Sequence, residues 1–361
     1  MVETALLPLR GPVRRILVLR PRALGDVLLV TPALRALRLG FPAAELHVAI
    51  DDTLAPLLCR NPHVHHLWLL PRRQPSRRAW LRLGAGLVRA RFDLVLDLHG
   101  SPRTALLAWL TRAPNRLGYA LRGRGALYNF KLPRDADRSG RRRLLYAARN
   151  NLEIVARCGG RGAALEDTSL VFVPEPEAER RMDGFVAGWA PEGPRIGIVP
   201  AGTWQAKTWP LESFARAADL LAAAGGHIVV LWGPGEEALG RRLRSSMQSP
   251  CLLAPPTSID ELAALLARLD LVLCADSGVK HLAVARDTPT LTIFGPTNPV
   301  AWNPDLPRHG VARADLPCLC CNRTRCSHHL CMRLLAPERV ARLALELLAR
   351  HRHPTGASCD S

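Results

Sequence analysis

Short apolar runs and helix-like stretches alternate along this 361-residue chain, and the alternation halts once and then starts again. RILVLR (15–20), ELHVAI (45–50), VHHLWLL (64–70) and FDLVLDL (92–98) read as strands separated by helical stretches. RIGIVP (195–200), GHIVVLWG (226–233), LDLVLCAD (269–276) and TPTLTIFG (288–295) repeat the pattern. Runs of this kind suit strands covered on both faces, so each half is read as an α/β unit built on a parallel sheet. Between them lies VPEPEAERRMDGFVAGWAPEGP (173–194), whose prolines at 174, 176, 191 and 194 enclose one short helix and suit an exposed linker.

The length agrees, because single hydrophobic cores stop growing at about 250–300 residues. The expected division is a Rossmann-like domain over 1–174, a linker with a short helix over 175–194, and a second Rossmann-like domain over 195–336. A helix opening at Pro337, in PERVARLALELLAR, and a frayed tail complete 337–361. Two such domains facing each other across a cleft would aim both sets of strand ends at the gap, where ligands prefer to bind. No apolar run is long enough to span a membrane, and MVETALLPLRGP is too short and too interrupted for a secretory segment, so a cytoplasmic protein is expected.

Net charge is +18, and of 49 basic residues only Lys131, Lys207 and Lys280 are lysines. The excess points to a polyanionic partner, or else to an arginine-rich solvated surface. The lysines stand out as exceptions, and two of them fall in the segments that carry chemistry.

The first such segment is ILVLRPRALGDVLLVTPALRALR (16–38), where a strand runs into a loop holding Gly25 and Asp26 and then into a helix. A carboxylate at the carboxyl edge of a parallel sheet is placed where open α/β folds bind ligands, and Asp26 is the leading catalytic candidate; its alternative is an N-cap. In LVLCADSGVKHLAVARDTPTLTIFG (271–295), Asp276 or Ser277 is expected to cap a helix beginning near Gly278, whose free N–H groups would receive a diphosphate. In GIVPAGTWQAKTWPLESFARAADLLAA (197–223) the loop collects Gly202, Thr203, Lys207 and Trp209, with Lys207 able to neutralise phosphate or simply to lie on the surface. Glu236 or Glu237, after the next strand, could accept hydrogen bonds from a ribose. Each loop is weak by itself, and their order after successive strands is what carries weight.

PCLCCNRTRCSHHLCM (317–332) holds five of the ten cysteines. Cys318, Cys321, Cys326 and Cys331 are spaced x2, x4 and x4, with His328 and His329 nearby, a pattern that suggests a structural zinc before a disulfide. Redox thiols or plain free thiols in a loop are the alternatives.

Taken together, ALGDVLLVTPALRALR, FDLVLDLHGSPRTALL, NRLGY, PAGTWQAKTWPLESFARAADLL, LWGPGEEAL and CADSGVKHLAVARDTPTLTIFGPTNP make the sequence resemble glycosyltransferase family 9, the heptosyltransferases of lipopolysaccharide core synthesis, over about 14–350. The resemblance implies a GT-B fold and inverting transfer of a heptose or related sugar, without a metal or other cofactor, from a nucleoside diphosphate such as ADP to an anionic glycolipid. It implies Asp26 as general base, with Thr203, Lys207, Glu236, Asp276, Ser277, Gly278, Val279 and His281 lining the nucleotide-sugar site. The acceptor is expected at Arg103, Arg116 and the basic run containing Arg138, Arg141, Arg142 and Arg143, because arginine suits phosphates and carboxylates. Arg22 stands where many members have Ser, and Ser277 where Thr is frequent. A monomer working at the inner membrane surface is expected. Two other readings stay open: a sugar-nucleotide epimerase, which should survive loss of Asp26 in part, and a nucleic-acid-binding protein, which should bind with steep salt dependence but has no stacking aromatic array to support it.

Overall fold

The computed structural model describes residues 6–72, 76–132, 143–160, 163–189, 192–202 and 204–352. The chain divides between Val173 and Pro174 into two units.

In the first unit the elements run β1 (Arg15–Leu19), α1 (Leu24–Leu28), α2 (Thr31–Gly40), β2 (Glu45–Asp51), β3 (His66–Leu70), α3 (Arg77–Arg89), β4 (Leu94–Asp97), α4 (Pro102–Leu110), β5 (Asn115–Tyr119), β6 (Phe130–Leu132) and α5 (Ala147–Arg157). The six strands form one parallel sheet in the order β3-β2-β1-β4-β5-β6. Leu17, Leu19 and Val95 of its centre pack with Leu83 and Leu87 of α3 and with Ala105, Leu107 and Ala108 of α4. Full burial of each leucine is worth about 1.5–3 kcal/mol, which is why these runs carry no polar alternation.

The second unit runs α6 (Pro176–Ala187), β7 (Arg195–Val199), α7 (Leu211–Ala223), β8 (His227–Val230), α8 (Glu237–Ser246), β9 (Cys251–Leu253), α9 (Ile259–Leu266), β10 (Leu271–Ala275), α10 (Gly278–Ala285), β11 (Thr290–Ile293), α11 (Pro299–Trp302), β12 (His309–Ala312), α12 (Leu330–Arg333) and α13 (Pro337–Arg352). Its parallel sheet has the order β12-β11-β10-β7-β8-β9. Ile196, Ile198, Leu271 and Ile293 pack with Trp209, with Phe214 and Leu221 of α7, and with Val340, Ala344 and Leu347 of α13. Trp209 satisfies its buried indole by donating to the Leu335 carbonyl at 3.2 Å.

All eight strands read from the sequence are present. β5, β6, β9 and β12 are additional, three to five residues each, lying outward from the sheet centres. The segment expected as a linker carries α6, which belongs to the second unit. The Glu175 N–H donates to Asp260 Oδ1 at 3.0 Å, Arg268 reaches Asp183 at 2.8 Å, and Arg286 reaches Glu179 at 2.6 Å. Its charges are thus partners of α9 and its surroundings rather than a solvated spacer. Asp26, expected in a loop, lies inside the short helix α1. Among the described residues no helix is long and apolar enough to cross a membrane.

In both sheets the chain leaves the first strand in one direction and returns to its other side, so the topological switch points fall between β1 and β4 and between β7 and β10.

β12 also contributes a pH-sensitive group. His309 is buried, with Nδ1 3.0 Å from Thr290 Oγ1, and burial pushes its pKa down to about 4 from an ordinary 6.5. Below pH 6.5 the unfolded chain takes up a proton that the folded chain refuses, so stability falls as pH drops from 6.5 towards 4, by about 3 kcal/mol for this group. Chemical denaturation across that range should show a steeper loss for the wild type than for His309→Gln. Equal slopes would contradict this origin.

Candidate active site

At the second switch point the loop after β7 brings in Lys207 and the end of β10 brings in Asp276. Lys207 Nζ donates to Asp276 Oδ2 at 2.7 Å, Thr297 Oγ1 donates to the same oxygen at 2.8 Å, and Lys280 Nζ donates to Oδ1 at 2.8 Å. All four residues are buried, and Lys280 is wholly so at 0% exposure. Burial pulls the Asp276 pKa upward, but Lys280 and then Lys207 outweigh it and hold the carboxyl well below the usual range. Burial lowers the Lys280 pKa, with Asp276 opposing. Two ammonium groups therefore share one carboxylate, leaving a surplus positive charge at a place where buried charge must be matched.

The Lys207 ammonium also lies 4.3 Å from the face of Trp204. Beside this cluster α10 begins at Gly278, with Val279 following, and its first-turn N–H groups lack helical partners. Neither expected cap operates. Ser277 holds the N-cap position without a side-chain bond, its Oγ buried and unpartnered, and the Asp276 carboxylate is engaged by the lysines and Thr297. His281 is buried with Nδ1 unpartnered, and burial followed by Lys280 keeps its pKa far below the ordinary value, so its ring is neutral at pH 7. At the end of β8, Glu236 accepts the Gly233 N–H at 2.9 Å across a turn in which Gly235 takes φ +84°, a left-handed conformation that favours glycine. Glu237 instead pairs with Arg241 on the outer face of α8, which singles out Glu236 as the carboxylate of this loop. Thr203 lies outside the described residues.

The cysteine-rich loop braces this site. His329 Nε2 lies 3.0 Å from the Ala206 carbonyl, the Ala206 N–H donates to the Thr324 carbonyl at 3.2 Å, and the N–H groups of Cys320 and Asn322 reach the Gly295 and Pro296 carbonyls at 3.0 and 2.7 Å. It thus fastens the loops that carry Lys207 and Thr297. Cys318, Cys321, Cys326 and Cys331 are free thiols around one cavity, and among the described residues no three His, Cys, Asp or Glu groups stand as a metal-holding set.

At the first switch point Asp26 sits in the first turn of α1, half-buried. Its Oδ1 is 2.5 Å from Arg20 Nη2, and its Oδ2 accepts the Ala23 N–H at 3.1 Å. Arg20 also donates to the Leu98 carbonyl at the end of β4, so one guanidinium ties the ends of both central strands to the carboxylate. Beneath it, Asp97 accepts the N–H groups of His99 and Gly100 at 3.0 and 2.8 Å and the Tyr128 hydroxyl at 2.6 Å. Gly118 makes that last bond possible, since a Cβ there would overlap the Tyr128 ring. His99 has its pKa lowered by burial and then by Arg20, with Asp26 close enough to oppose.

Of the expected acceptor arginines, Arg103 lies over the Trp80 ring at 3.9 Å; burial lowers its pKa, Asp51 opposes, and Arg22 and Arg72 add to the lowering. Arg116 is spent on the backbone carbonyls of Leu127 and Ala113, at 3.0 and 2.5 Å, and braces β5. Arg138, Arg141 and Arg142 lie outside the described residues. Sequence reasoning passed over Arg20, Arg72, His99, Thr297 and Lys280 as site residues. Only Lys280 carried a readable signal: it is one of three lysines and stands four residues after Asp276 on a helix.

Comparison with known proteins agrees with this picture. Lipopolysaccharide heptosyltransferase 1 of Pseudomonas aeruginosa is 27% identical over 355 residues, covering 91% of this chain and 96% of that protein. The structure of a glycosyl transferase of family 9 from Veillonella parvula superposes with a TM-score of 0.77 at 23% identity, over 93% of this chain and 97% of the other. That of the Escherichia coli ADP-heptose lps heptosyltransferase II gives 0.74 at 23% identity, over 94% and 99%. The structural likenesses establish the fold, which is α/β of the GT-B class. The sequence model for glycosyltransferase family 9 (heptosyltransferase) matches residues 80–331, well over half of the length, which favours sugar transfer over the epimerase and nucleic-acid readings. This chain therefore belongs to glycosyltransferase family 9 (heptosyltransferase) and is a glycosyltransferase enzyme.

Proposed function

We propose that the enzyme transfers a heptose, or a closely related sugar, from an ADP-linked donor to a hydroxyl of an anionic lipopolysaccharide-core or similar glycolipid, with inversion and without a catalytic metal. The observation that carries this reading is the surplus positive charge of Lys207 and Lys280 around Asp276, set against the N-terminus of α10 at the switch point. A diphosphate is the ligand that such a charge and such a ring of N–H groups would receive. Lys207 and the first N–H groups of α10 take the charge of the departing diphosphate, so the protein itself supplies the cation the reaction needs. Ser277, Gly278 and Val279 line that seat, Thr203 contributes a hydroxyl as the resemblance implies, and neutral His281 closes it from within. Glu236 receives ribose hydroxyls.

In the first unit Asp26 accepts the proton of the acceptor hydroxyl as its oxygen bonds to the anomeric carbon and the sugar–phosphate bond breaks. One displacement with one base inverts the centre. Arg20 holds the carboxylate in place, and Arg22, Arg72 and Arg103 offer charge to the phosphates or carboxylates of the acceptor. The ADP preference is supported by the Escherichia coli relative, whose donor is ADP-heptose by name.

A panel of nucleotides tests the donor assignment. At a hundredfold excess over its dissociation constant a ligand adds about 2.7 kcal/mol of stability. ADP and ADP-sugars should raise the melting temperature, and UDP and GDP should do so far less. Equal responses, or none, would overturn the ADP reading.

A further inference from the structure

Lys280 has no room to meet a ligand. It is fully buried, and its ammonium donates to Asp276 Oδ1 at 2.8 Å and to the Trp302 carbonyl at 2.6 Å while lying 5.0 Å from the centre of the Phe294 ring. Lys207 differs: about a tenth of its side chain is exposed, and beyond the carboxylate its ammonium meets only the Asp276 carbonyl, at a long 3.4 Å, and the face of Trp204. The two lysines thus hold the same carboxylate from different positions, one wholly enclosed and one at the edge of the exposed surface.

We infer that Lys280 is a positioning residue, the standing counter-ion of Asp276 that releases Lys207 to bind an anion. A buried carboxylate stripped of its partner is strongly unfavourable. If Lys207 were the sole cation on Asp276, every turn towards a phosphate would leave that carboxylate bare. With Lys280 on Oδ1 and Thr297 on Oδ2, Asp276 stays matched when Lys207 moves, and the ammonium that moves brings a full charge to the ligand. Lys280 itself touches neither donor nor acceptor. The inference rests on the reading of this cluster as the diphosphate seat.

The test is calorimetric titration of the full chain with ADP and, separately, with adenosine, which lacks the phosphates. Lys280→Met keeps the length of the side chain and removes the charge. It should weaken ADP binding about tenfold to a hundredfold, the scale of one charge-assisted hydrogen bond, and leave adenosine binding unchanged. The double variant Asp276→Asn/Lys280→Met removes the pair together, leaves Lys207 unclaimed, and should restore most of the lost ADP affinity. ADP binding by Lys280→Met equal to that of the wild type would overturn the inference. So would an equal loss of ADP and adenosine that the double variant fails to repair, because Lys280 would then only hold the fold. A wild type that binds ADP no better than adenosine would instead remove the diphosphate seat, and the inference with it.

Discussion

Replacing Asp26 with asparagine should slow transfer by about 10²- to 10⁴-fold, the usual contribution of a positioned general base, with ADP affinity little changed. The amide keeps the shape and retains an oxygen for the Ala23 N–H, so α1 has its acceptor still. What it loses is the capacity to accept a proton, together with the charge that pairs with Arg20. The broken ion pair with Arg20 lowers stability in either case, but a purely structural Asp26, serving only to join Arg20 to α1, predicts a normal rate per folded molecule. Initial rates at saturating donor and acceptor, measured beside a denaturation curve on the same sample, separate the two. A rate within tenfold of the wild type would exclude Asp26 as the base.

Lys207→Met should be nearly as damaging for a different reason. Removing one preorganised charge that stabilises a leaving group costs about 10²- to 10³-fold, and here the loss should fall on kcat/KM together with ADP affinity. Asp276 keeps Lys280 and Thr297 in this variant, so the site should remain folded and still bind adenosine. Circular dichroism and adenosine titration provide the controls. Near-normal turnover by Lys207→Met would mean that the diphosphate is held elsewhere.

The central strands were readable because β1, β4, β7 and β10 are largely continuous apolar runs, which sheets covered on both faces require. β6, β9 and β12 were not, because strands of three or four residues such as HGVA leave no period to detect. The short helix α6 was expected within a linker, and its place in the second unit was hidden because its prolines and charges look like linker chemistry; only the fold brings Arg268 and Arg286 to Glu179. Among the candidate site residues, Asp26, Lys207 and Asp276 stood out in the sequence because each lies in the strand-to-helix segment that follows a predicted strand. Their partners were not. Arg20 meets Asp26 only because α1 folds back over the end of β1, and Tyr128 reaches Asp97 only because Gly118 clears its path. Arg116 shows the converse, an arginine in a promising motif whose donors go to the backbone.

Heptose transfer itself is tested by a turnover experiment. The purified protein is incubated with ADP-heptose and a heptose-deficient lipopolysaccharide core, and the products are weighed by mass spectrometry. The expected products are an acceptor heavier by one heptose and an equal amount of free ADP, and neither should form with Asp26→Asn. An acceptor of unchanged mass, from a protein that binds ADP under the same conditions, would contradict heptose transfer.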